Sequence, residues 1–203
     1  MSVCARKAFN LPFSKLLFDV IHIPVPTKGK EEESFSALQK ELKQDDIAAF
    51  IFEPLIQGAG GMVIYSAESL DKMIEQCRTK NIITIADEVM TGFGRTGKFF
   101  ANDHLKNKAD IICLSKGLTG GLMPLGVTSC AKFIYDAFLS DDKMKTFFHG
   151  HSYTANPTAC SAALASLDLF DKPEAFESID RIEKKHKEFF QKIKSHKALI
   201  EVR

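Results

Sequence analysis

No run of apolar residues in this chain approaches the roughly 20 that a membrane-spanning helix requires. The opening segment MSVCARKAFNLPFSKLLFDV lacks both the apolar core and the cleavage site of a secretory signal. Paired cysteines are missing too. The five cysteines (Cys4, Cys77, Cys113, Cys130 and Cys160) are an odd number at scattered spacings with no CxxC, which fits reduced thiols and not a disulfide framework. A formal net charge of +1 gives no sign of a basic nucleic-acid surface or an acidic tail. Repeats and low-complexity segments are absent as well. These absences predict a soluble cytoplasmic protein that binds neither nucleic acid nor membrane.

What is present is a core. With 45% apolar content, 203 residues are enough to build one domain. Met1 to Asp19 reads as loop and short helix, and Val20–Val25 as a short strand closed by Pro24 and Pro26. Glu31 to Gln44 has the spacing of an amphipathic helix, with Phe35, Leu38 and Leu42 on one face. Ile47–Phe52 is a strand-length apolar run ending in Glu53-Pro54 and the glycine-rich loop Gln57–Gly61. Ser66 is placed to cap a helix whose buried stripe is Leu70, Met73, Ile74 and Cys77. Further strands are predicted over Ile82–Ala86, Asp110–Leu114 and Gly126–Ala131, and a short helix over Lys132–Leu139. Asn156-Pro157 opens a helix rich in small residues. From Pro173 a long charged helix follows, with Ile179, Ile182, Phe189, Phe190 and Ile193 on its inner side. Strands alternating with helices predict an α/β fold with a largely parallel sheet. Leu199–Val202 has the look of a further strand.

The chemistry gathers between Ile82 and Gly126. One predicted strand ends in Asp87-Glu88, the next in Ser115-Lys116, followed by Gly117, Gly120 and Gly121. In open α/β sheets ligands sit outside the carboxyl ends of the strands, so a carboxylate and an amine at two such ends can face one small molecule. A lysine directly after a buried strand is partly desolvated, which suits a Schiff-base nucleophile, and the glycines give a ligand close access to the backbone. A strand-end acid either caps the next turn or faces a cationic ring nitrogen. An enzyme using pyridoxal phosphate needs both groups, a lysine for the covalent bond and an acid to keep the pyridine nitrogen protonated. Two other patterns are weaker. His149-x-His151 has no third ligand nearby for a tetrahedral metal site, so no metal is expected. Gly92-x-Gly94-x-x-Gly97 has dinucleotide-loop spacing but follows Asp87-Glu88, contains Arg95 and has no helix start behind it.

The segments FEPLIQGAGG, IADEVMTGFGRTGKFF, DIICLSKGLTGGLMPLG and HGHSYTANPTACSAA together resemble the class III, pyridoxal-phosphate-dependent aminotransferases, and the resemblance covers nearly the whole chain. It implies the large domain of a fold-type-I (aspartate-aminotransferase-like) enzyme. It further implies Lys116 as the Schiff-base lysine, substrate contact and acid/base, and Asp87 as the partner of the pyridinium nitrogen. By the same resemblance Ser152 and the His151 backbone bind the cofactor phosphate of the other subunit of a homodimer, and Gly150 lies at the substrate. Glu88 and Arg95 serve structure, Glu88 by fixing the loop Thr91–Gly97, and Glu53 supports the ring pocket.

Ornithine- and aminobutyrate-type members carry an acid at the position of Ala59. Ala59 and the run DDKMKTFFHGHSYTANP resemble the biotin-synthesis branch instead, whose donor is S-adenosylmethionine and whose acceptor is 8-amino-7-oxononanoate. Another ω-aminotransferase and a catalytically inactive truncated fragment are the alternatives. On the family pattern residues 1–172 correspond to the second half of the cofactor domain and 173–203 to a helix leading to a small C-terminal domain. Both ends are expected to be truncated relative to the family.

Overall fold

The computed structural model describes residues 2–4, 10–199 and 202. Its centre is a four-stranded sheet made from short β-branched and aromatic runs, in the order β1 (Ala49–Phe52), β4 (Ile83–Asp87), β5 (Ile111–Leu114), β6 (Val127–Cys130). The first three are parallel and β6 runs antiparallel to β5. Between β1 and β4 lies a two-residue hairpin, β2 (Ile56–Gln57) with β3 (Val63–Ile64), which the sequence reading takes as loop. Its corners are made by Leu55 and Met62, both with positive φ, a conformation that apolar side chains rarely advertise in sequence.

Register decides what the sheet covers. Phe52 pairs with Ala86 and Ala86 with Ile112, so these three share a face. There they pack with Leu70 and Ile74 of helix α2 (Ala67–Arg78). Ser66 caps that helix as predicted, its hydroxyl accepting from the Ser69 N–H at 3.1 Å. Helix α1 (Glu31–Glu41) adds Phe35 and Leu38, with Leu42 just beyond, against Met73 and Cys77. On the alternate face Ile51, Ile85 and Ile111 stay half-buried. The short helix α3 (Lys132–Asp136) precedes α4 (Pro157–Phe170), whose cap Asn156 accepts from the Thr158 and Ala159 N–H groups. Ala163 of α4 packs with Phe93 and Leu118 in a separate cluster, and α5 (Pro173–Ile193) follows.

One expectation fails, a second is met only in part, and two fall partly outside the described residues. Val20–Val25 joins no ladder among the described residues: Pro24 and Pro26 have no N–H to give, and the Thr27 N–H turns back to the Val25 carbonyl at 2.7 Å. The inner stripe of α5 is covered only in part: Ile179, Phe190 and Ile193 are half-buried, while Ile182 and Phe189 are 53% and 60% exposed. Leu199 and Val202 lie outside any strand, and Ile200 and Glu201 fall outside the described residues. The expected N-terminal helix is a 3-10 segment, Leu11–Leu16, while part of Met1–Asp19 also lies outside the described residues. Among the described residues β1 and β6 each pair on one side only, and no helix is long and apolar enough to cross a membrane.

Burial pushes the Cys77 thiol up to about 12. Folding therefore retains the protonated thiol, and its contribution is present at neutral pH and lost as pH rises toward 12. A thiol reagent at pH 8 is expected to modify exposed Cys4 and Cys130 in native protein and Cys77 only after unfolding. Mass spectrometry of the labelled peptides checks this, and native-state labelling of Cys77 would contradict the packing of α1 on α2.

Candidate active site

The carboxyl ends of three adjacent parallel strands carry Glu53, Asp87 and Ser115-Lys116. Asp87 is the last residue of β4, and its Cα pairs with Cys113, so Lys116 lies three residues past that register at the same sheet end. This is the meeting of acid and lysine that the sequence predicts. One oxygen of the half-buried Asp87 accepts from the Val89 N–H at 3.0 Å, and the other has no hydrogen bond among the described residues. Burial pushes the neighbouring Cys113 thiol up; the Asp87 charge adds to this, and a hydrogen bond with Thr128 opposes it.

Lys116 begins a short 3-10 turn, Lys116–Thr119, with φ +45°, left-handed for a residue with a side chain. Such a conformation costs about 1–3 kcal/mol and persists only where its surroundings over-determine it. They do so here: the Ser115 hydroxyl donates to the Leu125 carbonyl and the Thr119 hydroxyl to the Met123 carbonyl, each at 2.6 Å, and Ser166 of α4 donates to the Gly117 carbonyl at 3.3 Å. The Lys116 side chain is exposed and its amine has no hydrogen bond or ion pair among the described residues. The desolvation expected for it is thus not supplied by the described residues: the turn swings the side chain off the end of β5, where nothing described covers it.

The glycines divide. Gly117 does not give clearance to a ligand, because a side chain there would meet the Phe93 Cβ at 2.9 Å. Gly121, by contrast, faces open space. Behind the turn an apolar groove of about 450 Å³ is lined by Phe93, Leu114, Leu118, Cys160, Ala163 and Leu167. It offers no donors for a phosphate and is not the cofactor site.

The two remaining acids hold loops. Glu53 accepts from the Gly58 N–H at 2.9 Å, bending the glycine-rich loop back over the end of β1. Its carbonyl accepts from the Tyr65 hydroxyl, whose titration is raised by burial and by the Glu53 charge. Glu88 is fully buried, and its carboxylate accepts from the Thr91 hydroxyl at 2.8 Å, the Ala101 N–H at 2.9 Å and the Asn102 N–H at 2.6 Å. It clasps both ends of the loop 91–102, farther than the Thr91–Gly97 reach expected. Arg95, on that loop, is exposed.

His149, Gly150, His151 and Ser152 are not brought to Asp87 or Lys116 by any hydrogen bond among the described residues. They lie on an exposed segment with local contacts only: the His151 N–H donates to Thr154 Oγ1 at 2.9 Å, and His151 Nδ1 accepts from the Tyr153 N–H at 3.1 Å. Sequence reasoning named Ser115 only as the strand-end neighbour of Lys116 and did not single out Phe93, Thr119 or Ser166. Phe93 and Ser166 touch the lysine turn from distant parts of the chain, and Ser115 and Thr119 look like ordinary turn residues.

A strand-end acid and a strand-end lysine thus share one edge of a mainly parallel sheet, and the Aminotransferase class-III family matches residues 1–203: the chain belongs to that family. Among curated relatives, the adenosylmethionine-8-amino-7-oxononanoate aminotransferase of Synechococcus elongatus is 48% identical over 183 residues, 86% of this chain and 43% of the relative. The crystal structure of the protein of that name from Methanocaldococcus jannaschii superposes with a TM-score of 0.88 at 37% identity, over 100% of this chain and 47% of that one. The ornithine aminotransferase of Toxoplasma gondii, whose active site holds PLP at partial occupancy, matches with a TM-score of 0.72 at 30% identity, over 83% of this chain and 38% of that one. This chain spans less than half the length of these relatives.

Replacing Glu88 with alanine leaves three buried donors without an acceptor. A loss of about 3–5 kcal/mol is expected, measured by denaturant unfolding, whereas Arg95→Ala is expected to stay within about 0.5 kcal/mol of the parent.

Proposed function

We propose that this chain supplies the covalent and electrostatic centre of a pyridoxal-phosphate-dependent aminotransferase acting in biotin synthesis. The observation that carries this reading is the placement of Asp87 and Lys116 at the ends of adjacent parallel strands, in a frame set by the Asp87–Cys113 register. The donor set fits the cofactor: among the described residues one Asp87 carboxylate oxygen stays unengaged for a protonated ring nitrogen, and the Lys116 amine stays unengaged for an aldehyde. When bound, pyridoxal phosphate supplies an electron sink that weakens a bond to the carbon bearing the substrate amine.

The protein's own groups do the rest. Asp87 holds the ring in its cationic form. Lys116 Nζ would hold the cofactor through its aldehyde, and the same amine is the group placed to carry a proton as acid and base. Ser152 and the His151 backbone bind the phosphate of the partner subunit's cofactor, a role supported by their exposure and purely local contacts. Gly150 borders the substrate. S-adenosylmethionine is the amino donor and 8-amino-7-oxononanoate the acceptor, giving 7,8-diaminononanoate; Ala59 and the names of the relatives favour this pair over ornithine- or aminobutyrate-type substrates. The enzyme acts as a cytoplasmic homodimer. Residues 1–172 form part of the cofactor domain, and 173–203 lead to a smaller one. The exposed Lys116 favours a second reading, that these 203 residues are catalytically inactive by themselves.

Borohydride reduction of the full-length protein loaded with pyridoxal phosphate, followed by peptide mass spectrometry, tests the assignment. A stable adduct on Lys116 is expected, and Lys116→Ala should abolish both adduct and amino transfer from S-adenosylmethionine. No adduct, or one on another lysine, overturns the reading. Asp87→Asn should retain the adduct yet lower kcat by at least about 100-fold.

A further inference from the structure

We propose that Phe93, locked in place by the buried Glu88 carboxylate, is a positioning residue for Lys116, the wedge that holds the lysine turn in its left-handed conformation. The inference rests on the reading of Lys116 as the cofactor-bearing residue and adds what aims it.

The lysine turn is braced from three directions. Its own backbone closes Leu118 N–H to the Ser115 carbonyl at 3.1 Å and Gly120 N–H to the Gly117 carbonyl at 3.0 Å. The following segment supplies the Leu125 and Met123 acceptors. From farther along the chain come Ser166, through one 3.3 Å hydrogen bond, and Phe93, against whose Cβ, Cδ2 and Cγ a side chain at Gly117 would fall at 2.9, 3.0 and 3.2 Å. Phe93 therefore occupies the space next to the peptide that leaves Lys116. A change of φ at Lys116 moves Gly117 and so disturbs its packing against a buried ring.

The ring cannot yield easily. Phe93 itself has φ +61° and is only 8% exposed, and it meets Phe99 and Phe100 edge to face at 5.5 and 5.8 Å. Its loop is closed at both ends by Glu88, through Thr91 on one side and Ala101 and Asn102 on the other. Glu88 is tied in turn to the lysine strand, its N–H donating to the Cys113 carbonyl at 2.9 Å. Consecutive residues of one strand end thus serve the two halves of the site: Asp87 for the ring nitrogen, Glu88 for the wedge that directs the lysine.

The test uses full-length protein, cofactor-free and loaded, with Phe93→Ala, Phe93→Leu and Gly117→Ala. In cofactor-free protein, amide exchange over residues 115–120 is expected to quicken about tenfold or more in Phe93→Ala and to return toward the parent rate in Phe93→Leu. In loaded protein, Phe93→Ala and Gly117→Ala are expected to shift the pH midpoint of the visible band of the lysine-bound cofactor. Both should lower kcat about tenfold or more with KM changed less than about threefold. Should Phe93→Ala fail to fold, Gly117→Ala presses on the same contact from the other side and gives the same readouts. Parent-like exchange, midpoint and kcat in these variants overturn the wedge while leaving the proposed function intact. Parent protein that never takes cofactor on Lys116 overturns the proposed function, and with it any catalytic meaning of the wedge.

Discussion

A carboxylate removed from water must be surrounded by donors, and Glu88 has three of them while sitting at zero exposure. Much of this half-site depends on that arrangement. The loop from Thr91 to Asn102 has no regular ladder to fix it before its final 3-10 turn at Ala101–His104. Glu88 replaces the ladder by satisfying the loop's first hydroxyl and its last amides. Once closed, the loop delivers Phe93 into an aromatic cluster and against Gly117, and one buried acid thereby constrains two strand ends.

The sheet explains why acid and lysine arrive together. Parallel pairing of β4 with β5 sends both chains out at the same edge, with Asp87 opposite Cys113. Only a parallel pair does this; an antiparallel neighbour returns its chain to the far side, as β6 does. Glu53, at the end of β1, joins the same edge through the same logic and turns the loop around Gly58. The site is thus a row of strand ends, with a different loop device behind each of them.

That row is open on the ligand side. Lys116 is exposed, the isoleucines Ile51, Ile85 and Ile111 are only half-buried, and Ile182 and Phe189 of α5 face solvent. The chain spans less than half the length of its relatives, and among its described residues nothing encloses the Lys116 amine. Activity depends on enclosure because a charge or proton is directed most strongly where water is excluded.

Periodicity and end signals were legible in the chain. Ser66 and Asn156 cap the helices where they are read, and Leu70, Met73, Ile74 and Cys77 form the predicted buried stripe. Asp87 and Lys116 could be picked out because each interrupts or follows an apolar run, a local pattern that carries its own physical cost. Val20–Val25 misled for a complementary reason: apolar character is local, but a strand needs a partner, and two prolines deny it donors. Tertiary structure alone decided that Gly117 makes room for Phe93 and not for a ligand, that Glu88 spans thirteen and fourteen residues to reach Ala101 and Asn102, and that Lys116 is left-handed. Those facts depend on which distant atoms share a space, and no periodicity in the chain encodes that.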